Sequence, residues 1–149
     1  MDHAGPPVMT RPTTAPWPNM TRDETLTLAL ETSVLAPREA RHAVATWMRA
    51  RGLGDDLVND VVLIVSELVT NAVMHAGSIT SFSVRMTPAG RVRVEVGDDD
   101  DSPPEPNLRR EVGGAGLHLI GRLSAGWDWA PRRGRGKVVW AEVAPDRAL

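Results

Sequence analysis

The chain has 149 residues, of which 42% are hydrophobic and 24% charged, so it can close one sizeable core and one domain. A formal net charge of −2 excludes the whole-chain basic field that would attract nucleic acid or an anionic membrane. The absence of cysteine excludes disulfides and thiolate chemistry. No uninterrupted apolar run reaches about 20 residues, and no signal pattern opens the chain, so we expect a cytoplasmic protein without direct nucleic-acid or membrane partners.

The first third of the chain predicts an arm, a strand and a helix. Residues 1–22 are proline-rich and are predicted to form a disordered N-terminal arm, with the folded domain at 23–145. Leucines at every second position of Thr25–Glu31 predict a half-buried strand. Pro37 suits the first turn of a helix that runs to Arg51 and ends at Gly52. Its predicted buried stripe is Ala40, Val44, Trp47 and Met48.

A longer helix is predicted over Asp60–Gly77, preceded by a capping turn at Gly54–Asp56. Within it, Glu67, Asn71 and His75 follow one another at intervals of four residues and therefore project from one face. Burying a carboxylate and an amide without a partner costs several kcal/mol. This polar stripe therefore either faces solvent or lines a binding site.

The second half of the chain predicts two hairpins separated by a loop and a short helix. Alternating apolar residues indicate strands at Ile79–Thr87 and Arg91–Val96. Residues 98–112 show no periodicity and predict a long surface loop. A short apolar helix follows at Leu117–Leu123, and the final hairpin joins Trp127–Ala130 to Lys137–Val143. This order of elements indicates a two-layer α/β sandwich with helices on one sheet face.

Three local patterns leave their function open. Gly113–Gly116 has neither Walker A nor dinucleotide-binding spacing, so it is either a flexible connection or a phosphate-approaching turn. Asp98–Asp101 cannot begin an EF-hand loop, which would require glycine at Pro103 and glutamate at Arg109. We expect at least part of that acidic run to be solvated. The basic turn Pro131–Gly136 is likewise expected to be solvated.

Three segments together resemble the N, G1 and G2 boxes of the GHKL ATPase superfamily. They are Glu67–His75, Val94–Asp98 and Gly114–Ile120, in that order and separation. The closing segment Gly136–Glu142 and the short length are most similar to the stand-alone anti-sigma factor serine kinases of the SpoIIAB and RsbW type found in actinomycete regulators. The resemblance covers residues 26–143 and implies the Bergerat fold, an α/β sandwich with a mixed sheet and helices on one face.

The resemblance also implies residue roles, with ATP and Mg²⁺ as cofactors. By it, Glu67 is the catalytic base, Asn71 is the magnesium ligand that bridges to the phosphates, and Asp98 accepts a hydrogen bond from the adenine amino group. The remaining nucleotide-binding residues are Gly113, Gly114, Gly116 and Leu117, and the loop before them is expected to act as an ATP lid. The superfamily's G1 box usually runs Asp-x-Gly-x-Gly, whereas here Asp98 is followed by three further aspartates, which predicts weak ATP affinity.

The implied function is that of an ATP-binding anti-sigma factor with serine/threonine protein kinase activity. Its implied partners are a sigma factor and a STAS-domain anti-anti-sigma protein, and a homodimer is compatible with the family. The alternative is a catalytically weak or inactive nucleotide-binding module for partner switching. A sensor histidine kinase fragment ranks last, because His42-Ala43 does not resemble a phosphoacceptor in a dimerisation hairpin.

Overall fold

The computed structural model describes residues 24–104 and 116–145. In chain order, its elements are β1 (Thr25–Thr27), α1 (Ala36–Ala50), α2 (Asp55–Asn71), a π-helical turn (Ala72–Ala76), β2 (Ser81–Met86), β3 (Val92–Asp98), α3 (Gly116–Leu123), β4 (Gly126–Pro131) and β5 (Lys137–Val143). The predicted N-terminal arm and most of the predicted lid lie outside the described residues. The domain boundary at residue 23 stays a prediction.

The strands form one five-stranded sheet in the order β1-β2-β3-β5-β4. All pairings in the described part of the chain are antiparallel, where a mixed sheet was expected. The β2–β3 and β4–β5 pairs are joined by short turns, which require antiparallel strands. The chain leaves β3, passes through α3 to the edge strand β4, and returns as β5 beside β3. The predicted two-layer α/β fold is confirmed.

The core lies between one face of this sheet and helices α1 and α2. Residues at every second position of β2, β3 and β5 are buried, so one face of each strand meets the helices. The other face carries polar side chains on β2 and β3, and Val138, Trp140 and Glu142 on β5. Helix α1 packs along α2 and buries Ala36, Ala40, Val44 and Met48. Helix α2 supplies the largest helical share of the core, with Leu57, Val58, Val61, Ile64, Val65, Leu68 and Val69 buried.

Helix α1 begins with Pro37 in its first turn, as predicted, and Gly52 follows it with φ of 80°. Trp47, predicted to be buried, is only half-buried. The Arg51 guanidinium lies 4.7 Å from the centre of its ring and also forms an ion pair with Glu24. An indole with an apolar body and a cation on its exposed face is stable at the edge of a core.

Helix α2 starts at Asp55 with Gly54 as its N-cap, which agrees with the predicted capping turn at Gly54–Asp56. The acidic residues in its first turn favour the positive end of the helix dipole. The prediction of a regular helix up to Gly77 is wrong for the last turn, which is π-helical. The backbone N–H groups of Gly77 and Ser78 both donate to the Ala72 carbonyl oxygen, which closes a wider turn than an α-helix does. Gly77, at φ of 73°, adopts the left-handed conformation that ends the helix.

By length and composition alone, the continuous helix Asp55–Ala76, 22 residues long, could cross a membrane. Acidic residues interrupt its apolar run, so no uninterrupted apolar stretch within it reaches about 20 residues. In the structure its apolar residues pack against α1 and the sheet as the central helix of the core. The same composition is required of a helix that is covered on two sides by protein.

Two neighbouring residues of α2 provide a test of this packing. Ile64 is fully buried, whereas the Leu63 side chain is 45% exposed. We expect Ile64→Ala to lower the free energy of unfolding by about 2–5 kcal/mol, because a cavity would remain in the core. Leu63→Ala should change it by less than about 1 kcal/mol. Urea denaturation of both variants checks this, and equal losses would contradict the arrangement of α2.

Candidate functional site

The polar stripe of α2 is divided between two environments. Glu67 and Asn71 are half-buried and lie one helical turn apart, while His75 is exposed. Helix α2 contacts β3, β5 and α3, so the elements that carry the predicted site residues pack around it. A carboxylate and an amide are therefore held on a rigid helix at the edge of the core.

The π-helical turn begins immediately after Asn71, at the end of α2. The turn contacts β3, and the Asp99 backbone N–H donates to the Ser78 hydroxyl oxygen at 2.9 Å. Turns of this kind inside helices occur frequently at functional sites. Here the turn brings the end of α2 and the start of the acidic run into direct contact.

Asp98, the predicted adenine acceptor, is the last residue of β3 and is 3% exposed. Its Oδ1 atom accepts hydrogen bonds from Lys137 Nζ at 3.1 Å and from the Asp100 backbone N–H at 2.8 Å. Lys137 is the first residue of β5 and is 4% exposed. The two residues form a buried ion pair, in which each charge compensates the desolvation of the other.

The acidic run and the basic turn bind each other along their length, and we call these two segments, Asp98–Asp101 and Arg132–Lys137, the charged clasp. Its contacts beyond the ion pair are Arg132 Nη1 to Asp98 O (3.0 Å) and Asp99 Oδ1 (3.4 Å), Arg135 Nε to Asp99 O (3.2 Å), Gly136 N to Asp101 Oδ1 (2.6 Å) and Lys137 Nζ to Asp100 O (3.1 Å). Asp101, Arg133 and Arg135 stay exposed and the Asp99 side chain is 43% exposed, so part of each segment is solvated, as expected. What the sequence did not predict is that the two segments bind each other.

The pKa of one carboxyl group of the clasp, that of Asp100, is lowered. The hydrogen bond from the Ser102 backbone N–H is the main cause that lowers the pKa of Asp100; burial opposes the shift and the Lys137 charge adds to it. Because the folded-state pKa is lowered, its contribution to stability is present at neutral pH and is lost as the pH falls through that lowered pKa.

Gly136 allows the clasp to close. A Cβ atom at this position would overlap the Asp98 carbonyl oxygen and come within 2.9 Å of Asp99 Cα, and φ is 85°. Only glycine combines the left-handed conformation with so close an approach of two backbones. The sequence places this glycine at the end of the basic turn and at the start of the closing segment, but not the backbone that it approaches, because that contact depends on strand order.

An open cavity of about 660 Å³ adjoins the clasp and the end of α2. Its volume is within the range of small-molecule sites. It is lined by Ala76, Gly77, Ser78, Asp99, Asp100, Asp101 and Arg135. Three carboxylates and one guanidinium form an unfavourable environment for phosphate groups, so this cavity suits a sugar or base better than a polyphosphate.

The predicted phosphate-binding segment is described only from Gly116 onward. The backbone of Gly116 and Leu117 forms the start of α3, which packs against α2 and β4. Gly113 and Gly114 lie outside the described residues. The amide groups at the start of α3 are the type of donor that an anion requires, and α3 lies next to the helix that carries Asn71.

A magnesium ion would have few protein ligands here. Within residues 24–104 and 116–145, no three His, Asp or Glu side chains gather in an arrangement suited to a metal ion. The Asn71 amide oxygen fits Mg²⁺ by its chemistry, since this ion prefers oxygen ligands and usually keeps waters and substrate phosphates in its shell. The donor set therefore suits a magnesium ion that arrives with a nucleotide.

With this fold and these residues, the chain belongs to the histidine kinase-like ATPase domain family, which its sequence matches over residues 31–143. This agrees with the three boxes identified in the sequence. A comparison with curated proteins found no significant match.

Two solved structures share the fold. The RsbU and RsbW domains of Rv1364c from Mycobacterium tuberculosis superpose with a TM-score of 0.63 at 20% identity, over 81% of this chain and 32% of that one. The SiaB–SiaC complex from Pseudomonas aeruginosa superposes with a TM-score of 0.61 at 15% identity, over 79% of this chain and 88% of that one. This chain thus spans about a third of the Rv1364c chain, and at these identities the likeness is one of fold.

The two glycines of the basic turn test the clasp. Gly134 and Gly136 both have positive φ, yet a Cβ atom on Gly134 would meet nothing within 4 Å. We expect Gly134→Ala to lower the free energy of unfolding by about 1–2 kcal/mol, the cost of the left-handed conformation. Gly136→Ala should cost a further 1–3 kcal/mol or so, because two backbones must separate. Chemical denaturation measures both, and equal losses would show that the backbones do not touch.

Proposed function

We propose that this protein is an ATP-binding anti-sigma regulator that phosphorylates a STAS-type anti-anti-sigma partner on serine or threonine. The observation that carries the proposal is the pair Glu67 and Asn71, half-buried one turn apart on the central helix of a histidine kinase-like ATPase domain. The fold shared with the RsbW domain of Rv1364c and with SiaB, which is seen in a complex with SiaC, supports it. A sigma factor is the second proposed partner.

In this proposal, Asn71 holds the nucleotide through Mg²⁺. The ion, when bound, neutralises the charge that develops on the phosphates. The amide oxygen stands on a helix packed on α1, the sheet and α3, so its position is fixed before the ligand arrives. The backbone amides at the start of α3 are proposed to donate to the phosphate oxygens.

Glu67 is the proposed general base. Its carboxylate accepts the proton of the partner's hydroxyl group as the hydroxyl oxygen forms a bond to the γ-phosphorus. The bond from that phosphorus to the β–γ bridging oxygen breaks, and ADP leaves. The half-buried position of Glu67 limits access of water, which favours the partner's hydroxyl over hydrolysis.

The second candidate is a nucleotide-binding module that switches partners without transferring phosphate. The observation that favours it is the Asp98–Lys137 ion pair, because a carboxylate already paired with an ammonium group is a weaker acceptor for an adenine amino group. In either case the clasp reduces the repulsion expected of four adjacent carboxylates, since Asp98 is paired with Lys137 and Asp99 with Arg132.

Replacing Asn71 tests nucleotide binding. We expect Asn71→Ala to abolish Mg²⁺-dependent ATP binding in isothermal titration calorimetry, because the one proposed protein ligand of the ion is removed. Asn59 is an exposed asparagine on the same helix, and Asn59→Ala should bind ATP as the wild type does. Unchanged affinity in Asn71→Ala would refute the proposed site.

Replacing Glu67 separates the two candidate functions. Glu67→Gln keeps the shape of the side chain, so ATP affinity should change by less than about threefold, while phosphate transfer falls by about 100-fold or more. Transfer is measured with labelled ATP and the STAS proteins of the same genome, with the exposed Glu39→Gln as control. If the wild type transfers no phosphate to any of them but binds ATP, the switching module is the correct function.

A further inference from the structure

We propose that Lys137 is a second base-reading residue of the nucleotide site, acting beside Asp98 by donating a hydrogen bond to the adenine ring nitrogen N1. This inference rests on the proposed binding of ATP. It adds a residue that lies outside the three motifs of the sequence and 39 positions from Asp98.

The position of the pair in the sheet supports this role. Asp98 and Lys137 are register partners at the end of β3 and β5. By the alternation of the strands, both lie on the face that carries Val96 and Val139, which is the face covered by the helices. The end of this face adjoins the segment that follows the π-helical turn, because the Asp99 backbone N–H, next to Asp98, donates to the Ser78 hydroxyl oxygen.

The Lys137 ammonium group has a donor to spare. Of its three N–H bonds, one is directed to Asp98 Oδ1 and one to the Asp100 carbonyl oxygen, both at 3.1 Å. Among the described residues, no acceptor is found for the third. The group is 4% exposed, and a buried ammonium donor without an acceptor is costly. A ligand atom that accepts this bond would be bound correspondingly tightly.

The clasp fixes where that donor lies. Gly136 is pressed against the Asp98 backbone, and its own N–H donates to Asp101, so the start of β5 cannot move away from the end of β3. A lysine side chain is normally flexible, but here two hydrogen bonds hold the Lys137 Nζ atom. The acceptor carboxylate and the donor ammonium are therefore presented side by side.

Adenine complements this arrangement. Its Watson–Crick edge places an amino donor, N6, next to an acceptor, N1, which matches a carboxylate next to an ammonium group. Guanine places an acceptor, O6, next to a donor, N1–H, so in the same pose both contacts would be repulsive. A single carboxylate reads one of these groups, whereas the pair reads two, which sharpens the discrimination between the bases.

The test first changes the nucleotide, by replacing the adenine ring nitrogen N1, and then the protein. In 1-deaza-ATP, N1 becomes C–H, and we expect wild-type protein to bind it about 10-fold or more weakly than ATP in calorimetry, as the loss of a hydrogen bond from a charged donor requires. Lys137→Met should bind the two nucleotides equally. Arg133→Met, in the same turn but exposed, should keep the wild-type ratio. As ligand control, 7-deaza-ATP should bind the wild type like ATP.

Two results would overturn the role of Lys137 while leaving the proposed function intact. One is equal affinity of the wild type for ATP and 1-deaza-ATP. The other is a ratio of these two affinities in Lys137→Met that equals the wild-type ratio. Absence of ATP binding overturns both that role and the proposed function. If Lys137→Met does not fold, because Asp98 is left as an unpaired buried charge, the double variant Asp98→Asn with Lys137→Met removes both charges. It should likewise bind the two nucleotides equally.

Discussion

Helix α2 must meet two opposed requirements, and the rest of the structure depends on how it does so. One side carries seven buried apolar residues that hold α1 and the sheet together. The other side carries Glu67 and Asn71, polar groups whose burial without partners would cost free energy. The helix therefore buries its apolar side against α1 and the sheet and leaves the side with Glu67 and Asn71 at the edge of the core. This placement keeps both side chains half-buried and on a rigid support, as a catalytic or metal-binding group requires.

The charged clasp is the second constraint. In the superfamily pattern, glycines follow the G1 aspartate at the second and fourth positions; in this chain, Asp100 and Ser102 occupy those positions. Backbone and side-chain oxygens of the acidic run are bound instead by the basic turn on the neighbouring hairpin. Close approach is provided by a glycine on the opposite side, Gly136. The segment after Asp98 is thus ordered by opposite charges and by Gly136, which lies in the turn that precedes β5.

Much of the fold was predictable because its signals are local. Period-two alternation located β2, β3 and β5, and Pro37 and Gly52 bounded α1 to within a residue or two. The errors arose where longer-range packing prevailed. Trp47 reaches the protein edge because Arg51 and Glu24 meet there, and the last turn of α2 widens because Gly77 and Ser78 share one carbonyl acceptor. The spacing of apolar residues contains neither fact.

The sequence by itself determined the class of fold and the family, and it set Glu67 and Asn71 on one face of α2, because helical spacing does so wherever the helix packs. Tertiary structure alone decided what Asp98 contacts. An acidic run and a basic turn are each read as solvated until strand order is known, and their register depends on β5 inserting between β3 and β4. That insertion places Lys137 opposite Asp98, and burial then makes each charge dependent on the other, since removing one would leave an uncompensated buried charge.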